Sequence, residues 1–85
     1  MDDLKGTRVL VTGASKGIGK AVARAFAQQG AHVAIHYSAS EGEAKALADE
    51  IAAAGGTAVL VHGDLGQHGA AQKVVEEAAA KLGGL

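Results

Sequence analysis

The chain has 85 residues, 48% of them hydrophobic and 20% charged, with a net charge of −1; this is the balance of one folded domain, 1–85, and excludes a disordered polymer or a basic nucleic-acid binder. The absence of cysteine excludes disulfides, thiolate metal sites and a thiol nucleophile. The start Met1-Asp2-Asp3 is acidic and no apolar run approaches the ~20 residues that span a bilayer, so no secretion signal and no membrane partner are expected, and a cytoplasmic location is.

Thr7–Thr12, apolar and β-branched between Gly6 and Gly13, has the pattern of a buried strand. A helix follows at once. Ile18, Ala21, Val22, Ala25 and Phe26 recur on one face at helical spacing, and Gly30 closes the segment as a C′ glycine does. His32–Tyr37 is the second strand. Ser40 stands three residues before Glu43, the spacing of a capping box, and opens a helix with the stripe Ala44, Leu47, Ala48 and Ile51. Gly55-Gly56 stops it. Thr57–His62 is the third strand, Gly63-Asp64-Leu65-Gly66 a turn, and Gln67–Leu82 the third helix, with Ala71, Val74, Val75, Ala78 and Leu82 as its apolar face.

Strand–helix alternation with near-continuously apolar strands implies a parallel sheet covered by helices. Right-handed crossovers order the strands 3-2-1. The expected fold class is therefore α/β: half a Rossmann fold, βαβαβα, in which a three-stranded parallel sheet carries three helices.

The junction of the first strand and first helix carries the chemistry. A strand emptying into a glycine-rich turn that opens a helix points backbone N–H groups and the positive end of a helix dipole at one spot, where a phosphate can be held. The spacing here is Gly13-x-x-x-Gly17-x-Gly19. A P-loop needs Gly, four residues, then Gly-Lys-Ser/Thr. Counted back from Gly19-Lys20, Ala14 stands where the first glycine should be and Ala21 where the metal-binding hydroxyl should be. A nucleotide triphosphatase is disfavoured.

Thr12-Gly-Ala-Ser-Lys-Gly-Ile-Gly19 resembles the cofactor signature Thr-Gly-x-x-x-Gly-Ile-Gly of the short-chain dehydrogenase/reductases. Asp64-Leu65, after the third strand, is similar to a second feature of that family, an acid that meets the adenine ring. The resemblance runs from Lys5 to Leu85 and implies the N-terminal, cofactor-binding half of such an oxidoreductase. It implies that Gly13, Gly17 and Gly19 form the turn against a dinucleotide's pyrophosphate. Ser15 and Lys16 would meet the adenosine ribose and its substituent, Ile18 would pack near the cofactor, and Asp64 with Leu65 would meet the adenine. Without the resemblance, the glycines allow a tight strand–helix turn, Ser15 caps a helix start and Asp64 is an ordinary turn acid.

An NAD-specific site places an acid at the end of the second strand, ~20 residues beyond the motif. That position falls at Tyr37, and no carboxylate occurs between Gly13 and Ser40. A 2′-phosphate would be repelled by an acid and drawn to Lys16 and to the hydroxyls of Ser38 and Ser40. The cofactor expected is NADP(H) rather than NAD, with Tyr37, Ser38 and Ser40 at its adenosine end.

The histidines do not have the spacing of a metal site: His32 and His36 are ~13 Å apart along a strand, and no acid–histidine cluster has ligand spacing. In the family, the resemblance implies, catalysis comes from the other half of the fold. There a serine polarises the carbonyl, and the lysine of a Tyr-x-x-x-Lys pair lowers the tyrosine pKa. Here the one tyrosine, Tyr37, has Glu41 four residues on, and Ser15, Ser38 and Ser40 all fall in the cofactor half. The expectation is a truncated or excised half that binds NADP(H) without turnover. An uncovered edge on strand one would invite a second copy to pair there as a homodimer. The alternative is a structural fragment that folds or dimerises without measurable cofactor binding.

Overall fold

Strands β1 (Arg8–Val11), β2 (His32–Tyr37) and β3 (Thr57–His62) lie side by side in that order and all run parallel. Parallel neighbours need long crossovers; α1 (Gly17–Gln28) and α2 (Glu41–Ala53) supply them, and α3 (Ala70–Leu82) follows β3. This computed structural model describes residues 5–14 and 16–84. In the central strand, Ile35 is level with Val11 on one side and Leu60 on the other.

Alternation along β2 splits the core in two, because successive side chains point to opposite faces. Val33, Ile35 and Tyr37 meet Ala23 of α1 and Ala44, Leu47 and Ile51 of α2. Ala34 meets Val61 and the α3 residues Val74, Ala78 and Leu82. A strand paired on both edges and covered on both faces is largely apolar; β2 is buried from Val33 to Tyr37, with the polar His36 among them.

The structure places the apolar face of α1, and expectations at the cap of α2 and along α3 are corrected. The stripe expected on α1 is its exposed flank: Ala23 is the buried residue, Phe26 and Ala27 pack at the margin, and Ile18 is 84% exposed. Arg24 forms an ion pair with Glu50 of α2, so the side carrying Ile18, Val22 and Ala25 is turned away from α2, out past β1. Hydrogen bonding to Arg24 holds the Glu50 carboxyl below the usual carboxylate range, but both partners are exposed and the pair contributes little.

Ser40 does occupy the N-cap position of α2, but its side chain makes no capping hydrogen bond. At ψ 58° the residue is outside the extended region that aims a capping hydroxyl at the helix amides. The third helix begins at Ala70, not Gln67. Gln67 N–H bonds the Asp64 carbonyl, Ala70 N–H bonds the Gln67 carbonyl, and Gly69 sits at φ +79°, so two successive turns precede the helix. Only Val74, Ala78 and Leu82 of its expected face are buried; Ala71 and Val75 are exposed. One helix across a three-stranded sheet buries a narrow stripe.

The two sheet edges differ. In a parallel strand alternate residues bond to opposite sides, and Gly63 N–H bonds the Tyr37 carbonyl, so Leu60 presents its carbonyl outward. Lys81 Nζ donates to that carbonyl at 2.6 Å, which obstructs the β3 edge. Among the described residues no side chain does the same at β1.

Candidate functional site

All three segments singled out in the sequence follow the carboxyl ends of parallel strands, which places them along one edge of the sheet, where open α/β sheets hold their ligands. After β1 the chain bends at Gly13 (φ +62°) and Gly17 (φ +54°), conformations that cost an L side chain roughly 1–2 kcal/mol. Ala14, between them, is fully buried. The bend is held from β2: Ala14 N–H donates to the His36 carbonyl at 3.0 Å, and Gly13 N–H donates to His36 Nδ1 at 3.0 Å.

Two amides of the turn are thus directed inward, away from any ligand. The free donors come later. Among the described residues, Lys20 N–H makes the first helical bond, to the Lys16 carbonyl at 3.3 Å, and the N–H groups of Gly17, Ile18 and Gly19 find no backbone partner, as at a helix start. Lys16, the N-cap, offers no side-chain hydrogen bond and no acid stands in the first turn. The positive end of α1 is open. Gly19 brings it close to the strand end: a Cβ there would overlap the Gly13 carbonyl oxygen and lie 3.1 Å from Ala14 Cα. Lys16, Gly17 and Ile18 are exposed beside it. Ser15 lies outside the described residues.

At the end of β2 the picture is mixed. Tyr37 is buried, its hydroxyl donates to Glu41 Oε2 at 3.3 Å, and its ring centroid lies 5.2 Å from that of His62. Burial and then the Glu41 carboxylate push its phenol pKa up, so this side chain is poorly suited to give up a proton. Ser38 is exposed and its carbonyl accepts from His62 Nε2 at 2.9 Å. Ser40 is half-buried, its hydroxyl not engaged in capping. After β3, Asp64 is exposed and its Oδ1 accepts from Gly66 N–H at 2.9 Å, shaping its own turn; Leu65 is exposed beside it.

The sequence reading gave His36 no role. A histidine one residue before the end of an otherwise apolar central strand is the available signal, since a buried ring must find hydrogen-bond partners. Open helix amides, a lysine and two serines can together hold a phosphorylated ligand, with Glu41 bordering the hollow at Ser38.

Comparison with known proteins shows the family and the fold. Residues 7–85 match the family model described as short chain dehydrogenase. An L-rhamnose 1-dehydrogenase (NAD(P)(+)) of a Sphingomonas species is 48% identical over 80 residues, which is 94% of this chain and 32% of that protein. An uncharacterized oxidoreductase of Methylorubrum extorquens is 45% identical over 85 residues, 100% of this chain and 34% of that one. A short chain dehydrogenase from Burkholderia cenocepacia, solved in complex with NADP, superposes with a TM-score of 0.91 at 41% identity and covers 96% of this chain and 34% of its own. The chain spans about a third of the length of the relatives it matches.

Proposed function

The chain belongs to the short chain dehydrogenase family, and from that premise we propose that its 85 residues bind NADP(H) and do not reduce a carbonyl by themselves. The carrying observation is the uncapped, acid-free start of α1 set against the Gly13 turn, a donor set that suits a pyrophosphate. Gly17, Ile18 and Gly19 amides hold the diphosphate, with Gly13 bending the chain to make room. Lys16, Ser15, Ser38 and Ser40 take the adenosine 2′-phosphate near the Tyr37 end of β2, and Asp64 with Leu65 borders the adenine. The bound cofactor would supply the hydride; these residues supply its grip and orientation.

The preference for the phosphorylated cofactor is tested by fluorescence titration. NADPH binds more tightly than NADH, and Lys16→Ala weakens NADPH by about tenfold or more, the size of one charge-assisted hydrogen bond, while leaving NADH nearly unchanged. Equal affinities for the two nucleotides would remove the 2′-phosphate assignment. Absence of turnover follows from Tyr37, the one tyrosine, whose hydroxyl is engaged by Glu41. Chain-dependent loss of NADPH absorbance with simple ketones or aldehydes would contradict it.

The 85-residue chain also associates with itself through the outer edge of β1. Support comes from the unequal edges, β3 alone among the described residues being obstructed by a lysine, and from the apolar flank of α1 at Val22, Ala25 and Phe26. Pairing β1 with β1 of a second copy extends the sheet and covers that flank. Light scattering at high micromolar concentration should give a dimer, and Val22→Glu should return it to monomer; a monomeric parent chain would rule the association out.

A further inference from the structure

We infer that His36 is a positioning residue for the nucleotide: its neutral ring holds Gly13 and through it aims the α1 amides at the pyrophosphate. The inference rests on the cofactor reading above. His36 is 4% exposed and its ring spans the ends of the other two strands. Gly13 N–H donates to Nδ1 at 3.0 Å, and Nε2 lies 2.7 Å from the Gly63 carbonyl. These partners permit one tautomer. An amide can only donate, so Nδ1 carries the lone pair; a carbonyl oxygen can only accept, so Nε2 carries the hydrogen.

The same residue's backbone carbonyl takes Ala14 N–H, so one residue fixes two successive amides of the bend. Gly13's carbonyl then stands where a Cβ on Gly19 would be. A line of contact runs from the His36 ring through Gly13 and Gly19 to the first turn of α1. Among the described residues, His36 is the one side chain hydrogen-bonded to the bend. A turn held only by its own glycines would sample other shapes, and each would redirect the amides at Gly17 to Gly19.

Two near-isosteric replacements separate this role from simple packing. Asparagine places an acceptor where Nδ1 stands, keeping the Gly13 bond and giving up Gly63. Glutamine places a donor where Nε2 stands, keeping Gly63 and giving up Gly13. Each loses one buried hydrogen bond, so their melting temperatures should be similar. In NADPH fluorescence titration His36→Asn stays within about threefold of the parent chain, whereas His36→Gln weakens by about tenfold or more, the equivalent of one hydrogen bond. Without nucleotide, the Gly13 amide exchanges slowly in the parent and His36→Asn and quickly in His36→Gln.

Equal affinities for the two variants, or Gly13 exchange equally slow in both, would overturn the positioning role. No NADPH binding by the parent chain would instead overturn the cofactor reading and, with it, the nucleotide part of the inference. The exchange pattern would still decide whether the ring holds the bend.

Discussion

Gly19→Ala abolishes most of the nucleotide affinity, with NADPH binding expected to fall by more than about thirtyfold, roughly 2 kcal/mol. The added Cβ would overlap the Gly13 carbonyl oxygen and stand 3.0 Å from its carbon and 3.1 Å from Ala14 Cα. All three are backbone atoms, and none can move aside as a flexible side chain can. Either α1 backs away from β1 or the bend reshapes, and both displace the amides of Gly17 to Gly19. Packing strain should also lower stability by about 1–3 kcal/mol. Gly42→Ala is the matching control. Gly42 lies in α2 with open space where its Cβ would go, so alanine there should leave binding unchanged and add up to roughly 0.5–1 kcal/mol of stability. Titration and urea unfolding of both variants check the pair; equal binding by Gly19→Ala and the parent would show that the close approach is not needed.

Ile35→Ala is expected to cost about 3 kcal/mol, within the ~2–5 kcal/mol of buried isoleucine truncations. Ile35 is fully buried in the middle strand, between Val11 of β1 and Leu60 of β3 and beneath α1 and α2. A domain of this length holds only roughly 4–13 kcal/mol in total, so the loss is a large fraction of it. Ile18→Ala makes the comparison within one residue type. Ile18 is 84% exposed, and its truncation should change stability by no more than about 0.5 kcal/mol. Urea midpoints would measure both. At concentrations low enough to leave the chain monomeric, similar shifts would contradict the exposure of Ile18.

The strands were the most legible part of the sequence. His32–Tyr37 and Thr57–His62 coincide with β2 and β3 because each is a β-branched, apolar run bounded by glycine or serine, and their parallel order follows from the helices between them. The stripe on α1 was read correctly as one helix face, but that face is largely exposed. Periodicity reports which residues share a side, whereas burial depends on what lies against it; here α2 and the sheet cover the other side. The start of α3 was missed because Gly69 takes a left-handed conformation that composition alone does not specify. Among the site residues, the glycine bend was visible from its spacing. The part of His36 was not, since its partners lie 23 and 27 residues away and leave no local pattern. Tyr37 was placed at the strand end as expected, and its hydroxyl is drawn there to Glu41.

The most direct test is amide shift mapping of the 15N-labelled chain during titration with NADPH. The largest changes should fall on Gly17, Ile18 and Gly19, with Lys16 and Ser38 to Ser40 next, and they should collapse in Gly19→Ala. Changes confined to the hollow around Tyr37 and His62, with the three α1 amides unmoved at saturation, would contradict phosphate binding at the start of α1.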